Sequence, residues 1–179
     1  MLRSKPPGLP ERVCGVTMTA VANYEALFRE WYPRLVSLGT AMTGRRDVAS
    51  DIAQEAFLRA HRDWEAVRAY ERPSAWVRKV AVNLLIDYQR TSARERAAVD
   101  RLVGAPVAES STPALTRWVE LTSTLPTRQR QIVTLFYADD LSVTGIAELL
   151  HISEGAVKAS LFKARASLHQ LLESEVRDV

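Results

Sequence analysis

The chain has one cysteine, Cys14, in 179 residues. A single thiol forms no internal disulfide and leaves no cysteine-based zinc site. The three histidines, His61, His151 and His169, stand at spacings that match no metal motif. No cofactor motif is present, so none is expected. Apolar runs fall far short of the roughly 20 residues a membrane helix needs. Residues 1–20 carry basic side chains, but Pro6, Pro7, Gly8 and Pro10 interrupt any apolar core, so they do not read as a signal peptide. They read as a flexible leader, residues 1–22, in which Met18 is an alternative start. With no disulfide framework, a reducing cytoplasm is the expected compartment.

What is present is globular in character: 47% hydrophobic and 25% charged residues, enough to bury a core. The net charge is only +3. A nucleic-acid surface must therefore come from where the basic side chains lie, not from their total.

Glycine and proline are sparse, and the stretches between them have helical spacing without strand alternation. A first helix is expected over 23–43, with Leu27, Phe28, Trp31, Leu35 and Leu38 on one side, a kink or break at Pro33, and Gly44 as its C-terminal cap. Asp47 is the expected cap of a second helix reaching Val67, striped by Ile52, Ala56, Ala60 and Trp64. Pro73 and Ser74 open a third, to about Thr91, whose inward face is Trp76, Val77, Val80, Leu84 and Tyr88. The segment AAVDRLVGAPVAESSTP, 97–113, is rich in small and turn residues. It divides the chain into two domains, 23–96 and 114–179, joined by a flexible linker. The second reads as four short helices, over 114–123, 127–137, 143–150 and 154–172, with Ser142 and Ser153 as N-caps. The fold class is all-α, two small helical domains, the second a four-helix domain with a helix-turn-helix.

That motif spans Ser142 to Arg165. Two short helices crossing steeply need a small residue at the contact, a tight turn and aliphatic plugs. Ala147 is the small residue, Ile146 and Leu150 face the core, and Ile152 plugs the turn. Val157 and Leu161 continue the core, and Lys158, Lys163 and Arg165 lie on the other side. Apolar inward and phosphate-neutralising outward is the form of a recognition helix. A solvated amphipathic hairpin would show the same three charges.

Two further surfaces stand out. Asp51 and Glu55, four apart, share a helical face with Gln54 beside them and Arg59 one turn on. Paired carboxylates can serve acid–base or metal chemistry, but no Glu-x-x-His pair or second carboxylate-rich helix completes such a site. The alternative is a solvated face. From Arg72 to Arg96, six Arg or Lys oppose only Asp87 and Glu95, a local net of +4. Trp64, Tyr70 and Asn83 lie close by in sequence. Cations hold phosphates while planar groups stack on unpaired bases. Trp76 shares a stripe with Val80 and Leu84, which favours core packing. For Trp64 both roles stay open.

The sequence LSVTGIAELLHISEGAVKASLFKARASLHQLL resembles the C-terminal promoter-binding domain of bacterial sigma factors of the extracytoplasmic-function group. TLPTRQRQIVTLFYADDLS resembles the segment before it. DVASDIAQEAFLRAHRDW is similar to that family's helix for docking on RNA polymerase core. RPSAWVRKVAVNLLIDYQR is similar to its helix for the promoter −10 element. The resemblance covers roughly residues 23–173, in order. It implies that Asp51, Gln54, Glu55 and Arg59 contact the clamp helices of the largest polymerase subunit. It implies that the loop from Trp64 to Arg72 forms a pocket for a flipped −10 base. Contacts to −10 DNA then fall to Trp64, Arg68, Tyr70, Arg72, Arg78, Lys79, Asn83 and Arg90. On the −35 side it implies Arg128, Ser153, Glu154, Ala156, Lys158, Ala159, Ser160, Phe162, Lys163 and Arg165, with the flap of the second-largest subunit as the other polymerase contact. The implied partners are polymerase core, promoter DNA and an anti-sigma factor, with catalysis supplied by the polymerase.

Three departures from the family pattern matter. His151 stands in the turn where glycine is usual, and histidine is among the less penalised residues at positive φ. Thr144 and Gly145 replace acidic residues, so the capping box from Ser142 is lost. Ala156, Ala159 and Ser160 stand where Thr, Ser and Arg are common, so weak or altered −35 recognition is expected. The competing readings are a helix-turn-helix regulator that does not bind core polymerase, and a helical enzyme, for which no constellation is visible.

Overall fold

A computed structural model describes residues 24–98 and 112–177. The expected leader, most of the expected linker and Cys14 lie outside the described residues. Eight helices account for the described chain, with no strand among those residues.

Helix α1, Tyr24–Thr43, is continuous through Pro33, which corrects the expected break. The helix is held from both sides, by Leu27 below the proline and Leu35, Val36 and Leu38 above it, all buried. Gly44 ends it at φ +74°, its N–H donating to the Thr40 carbonyl at 2.7 Å. Helix α2, Arg46–Arg62, starts one residue before Asp47. Asp47 is therefore not the cap; it sits in the first turn and pairs with Arg45. The expected single helix to Val67 breaks at Asp63, and a short α3, Trp64–Val67, follows. Helix α4, Pro73–Ala98, runs seven residues past the expected end at Thr91.

The second domain begins with α5, Pro113–Ser123, capped by the Thr112 hydroxyl. It continues through α6, Thr127–Tyr137, α7, Val143–Leu150, and α8, Glu154–Arg177. Ser142 accepts from the Gly145 N–H and Ser153 from the Ala156 N–H, so both expected caps form. His151 closes α7 in the left-handed region, φ 53° and ψ 50°.

Two apolar clusters result. One lies within the first domain, around Phe57, Leu27, Ala53 and Val77. It needs small residues where α1 meets α2: a Cβ on Gly39 would stand 2.8 Å from that of Ala49. The other fills the second domain, with Ile132, Leu135, Ile146, Val157 and Leu161, and runs on without a gap into Leu38, Met42, Val82 and Leu85 of the first. The two domains are packed against each other through α1, α4, α5 and α6.

Candidate polymerase and promoter surfaces

On α2, burial alternates with exposure at helical spacing. Ala49, Ala53, Ala56, Phe57 and Ala60 are buried, while Asp51, Gln54 and Leu58 are exposed. Small alanines let α2 lie close to α1 and α4, which fixes the angle at which the outer face is presented. Glu55 and Arg59 are half-buried and paired at 2.7 Å. The expected docking residues are thus brought onto one face. Leu58, 64% exposed, lies on that same face and was not singled out from the sequence. A large apolar side chain one turn from a Gln–Glu pair is how the centre of a protein interface is built: an apolar anchor within a polar rim. The signal available in the sequence was its spacing, three and four residues from Glu55 and Gln54.

Helix α4 sorts its residues into three stripes. Val77 and Ala81 turn inward to α2. Lys79, Asn83 and Arg90 share an outer stripe, in which Arg90 is exposed and bound to Asp87 at 2.7 Å. Arg78 lies on a third stripe with Val82, Leu85 and Gln89, turned towards the second domain. There its guanidinium stands 3.4 Å from the Asp139 carboxylate. Asp139 is mostly buried in the α6–α7 turn, and burial raises its carboxyl above the ordinary value despite Arg78. Trp64 is half-buried, its ring edge-on to Tyr24 at 5.4 Å, and Trp76 and Val80 pack on the first cluster as expected for Trp76. Arg68 is exposed and paired with Glu65, and Tyr70 and Arg72 are half-buried between α3 and α4.

In the second domain, α8 buries Val157, Leu161 and Ala164 and exposes Ala156, Lys158, Ala159, Phe162, Lys163 and Arg165. Phe162 is 75% exposed. Ser160 is half-buried, and Glu154 accepts from the Thr144 hydroxyl at 2.7 Å, tying the two helices of the motif together. Arg165 donates to the Tyr137 hydroxyl at 2.7 Å and lies over the Phe136 and Tyr137 rings. Arg128 is set apart from this face. It donates to the Leu150 carbonyl at the end of α7 and to Gln131, both at 3.2 Å. Among the described residues no group of acidic, histidine or cysteine side chains could hold a metal ion. No described helix is long and apolar enough to cross a membrane.

A helix with a mixed apolar and polar outer face, a basic helix and a helix-turn-helix follow one another in this order, the layout of a DNA-binding transcription factor. Comparison with known proteins agrees. Residues 27–95 match the model of Sigma-70 region 2, and residues 115–168 that of Sigma-70, region 4. The chain is 33% identical over 170 residues to the ECF RNA polymerase sigma factor SigL of Mycobacterium tuberculosis, covering 90% of this chain and 96% of that one. It is 29% identical over 170 residues to the ECF sigma factor SigM of Bacillus subtilis, covering 90% and 99%. Its fold is similar to the sigma factor RpoE of Bartonella quintana, solved with the anti-sigma factor NepR, at TM-score 0.68, 20% identity, and 84% and 96% coverage. It is also similar to CnrH, solved with the cytosolic domain of CnrY, at TM-score 0.58, 22% identity, and 87% and 92% coverage. The chain belongs to the extracytoplasmic-function sigma factors.

Proposed function

We propose that this sigma factor docks on RNA polymerase core through the outer face of α2, holds melted −10 DNA along α4, and reads the −35 element with α8. The observation that carries the reading is α2: Gln54, Glu55 and Leu58 stand together on one exposed face, backed by a rigid alanine and phenylalanine seam. A helix-turn-helix regulator that ignores core polymerase has no use for such a face. Lys79, Asn83 and Arg90 form the open −10 stripe, cations for phosphate and an amide for base edges. Arg128 is a positioning residue: it binds the last carbonyl of α7 and so sets where the turn and α8 begin. The partners are polymerase core, promoter DNA and, as for the Bartonella quintana sigma factor of like fold, an anti-sigma factor. The compartment is the cytoplasm, where the polymerase works, and the bond-making chemistry belongs to the polymerase.

Run-off transcription with purified core and a random promoter pool tests this. Core-dependent, sequence-selected initiation is the expected result; none on any template overturns it.

The −35 grip has an unusual chemistry. At Ala156, Ala159 and Phe162 the outward face of α8 offers no hydrogen-bond donor, so base selection there falls to apolar contact, whose target in the major groove is the thymine methyl. Replacing a contacted thymine by deoxyuridine removes that methyl and leaves every hydrogen bond. One buried methyl is worth about 0.8 kcal/mol, about fourfold in affinity. Fluorescence anisotropy with thymine and deoxyuridine −35 duplexes is expected to show this loss, and Phe162→Ala to abolish the difference. Sharp discrimination among −35 bases that is indifferent to the methyl would count against apolar readout.

A further inference from the structure

Glu154 is the first residue of α8, and its carboxylate is fixed from two sides. One oxygen accepts from the Thr144 hydroxyl of α7 at 2.7 Å, and the other stands 3.6 Å from the Lys158 ammonium one turn on. The helix does not need Glu154 as a cap. Ser153 is the cap, its hydroxyl accepting from the Ala156 N–H at 3.1 Å. The pair with Lys158 is open to solvent, the two side chains being 47% and 67% exposed, and pairs of that kind add little stability. An acidic residue at 144, usual in the family, would set a second negative charge against Glu154. Threonine supplies a donor there instead. The carboxylate is thus held in one place at the start of the recognition helix, with its outer side open.

We infer that Glu154 reads a cytosine of the −35 element, with Thr144 as its positioning residue. The statement rests on the −35 reading of α8 given above and adds the base. An ionised carboxylate only accepts, and its two oxygens offer about four lone-pair sites, of which Thr144 and Lys158 take two. The N-terminal residues of a recognition helix are the ones that meet base edges. Further along the outward face, Ala156, Ala159 and Phe162 have no polar side-chain atom, so Glu154 is the acceptor nearest that end. The major-groove edges decide which base it selects. Guanine presents O6 and N7 and thymine presents O4, all acceptors that repel a carboxylate. Adenine has the N6 amino group, but N7 stands beside it. Cytosine has the N4 amino group and no acceptor on that edge. The Lys158 ammonium offsets the carboxylate's charge, so Glu154 can enter a groove walled by phosphates. The Thr144 hydroxyl fixes the side chain beforehand, which lowers the ordering cost of binding.

Core-dependent transcription from a promoter library randomised over the −35 element tests this, with the bases of the transcribed templates counted position by position. Wild type is expected to favour cytosine at one position, on one strand, by about 5- to 150-fold. Glu154→Gln is expected to move that preference to adenine, because an amide accepts from N6 while donating to N7. A variant that merely misfolds loses initiation on every template and gains no new base. Glu154→Ala is expected to flatten the position. Thr144→Val keeps the shape and loses the donor; it is expected to narrow the cytosine preference by about threefold or more, and Thr144→Ser to keep it. A −35 profile that is the same for wild type, Glu154→Ala and Glu154→Gln overturns the cytosine assignment and leaves the sigma-factor reading standing. An unaltered profile in Thr144→Val overturns the positioning role. No core-dependent initiation from any member of the library overturns the sigma-factor reading, and the assignment with it.

Discussion

Leu58→Glu is expected to lower the affinity for polymerase core by about 30- to 100-fold without unfolding the protein. The side chain is 64% exposed and lies between Gln54, Glu55 and Arg62 on the outer face of α2. Exposed positions of this kind change stability little, usually within about 0.5 kcal/mol. In a docked complex, however, the new carboxylate is desolvated against a surface shaped for an apolar group. At the few central hot-spot positions of an interface, losses reach about 2 kcal/mol or more, which is about 30-fold. Glutamate keeps the helix, since its intrinsic propensity is close to that of leucine. A titration of fluorescent variant against core enzyme, beside a thermal melt, reads both quantities. Unchanged core affinity in a folded variant would move the docking face off α2.

One residue earlier on the same helix the outcome inverts. Phe57→Ala is expected to cost about 3–5 kcal/mol of stability. The Phe57 ring is 1% exposed and edge-on to Phe28 at 4.8 Å and to Tyr24 at 6.1 Å. Its backbone carbonyl accepts from the Tyr24 hydroxyl at 3.0 Å. Removing the ring opens a cavity where α1 and α2 meet through aromatic contacts. A domain of about 75 residues has a total stability of about 4–11 kcal/mol, so the loss is a large fraction of it. Calorimetry is expected to show the first domain's transition moving down by 10 °C or more, at about 4–8 °C per kcal/mol. The local fold of the second domain, built on its own cluster, should persist in the far-ultraviolet spectrum. A shift of only a few degrees would mean that Tyr24 and Phe28 can collapse into the space.

The pair explains which parts of the molecule were legible in the sequence. Helix-turn-helix boundaries were, because Ser142, Ser153 and His151 set them through bonds to residues within four positions. The resemblance located α2 and its polar outer face for the same reason: a helical face is a local pattern. Leu58 was passed over although its spacing puts it on that face, because spacing gives only the face, and what packs around the helix decides whether a leucine on it stays exposed. The break at Asp63 and the continuity through Pro33 depend on what packs on either side. The roles of Arg78 and Arg128 were least legible. Both look like phosphate ligands in a basic segment, yet each is engaged by a group distant along the chain, Asp139 in one case and the Leu150 carbonyl in the other. Charge pattern identifies a cation; only the fold says what the cation is holding.

The joint between the two domains, finally, is built almost wholly from neutral groups: the Gln131 amide donates to the Gln89 oxygen at 2.7 Å, beside the apolar contact of Leu38, Met42, Val82 and Leu85 with the second domain's cluster. Ionic strength leaves such a joint intact, and excluded salts strengthen its apolar part. Promoter grip obeys the opposite rule. Each phosphate neutralised releases counterions, and a protein with 6–10 such contacts loses about 10³- to 10⁵-fold in affinity between 50 and 200 mM salt. Arg78 with Asp139, a charged contact at the same joint, is sheltered and screened less than a surface pair. Salt therefore acts in opposite senses on the two: it weakens the hold on promoter DNA and leaves the joint between the domains in place. Rising salt concentration takes promoter DNA away from it without taking away its hold on itself.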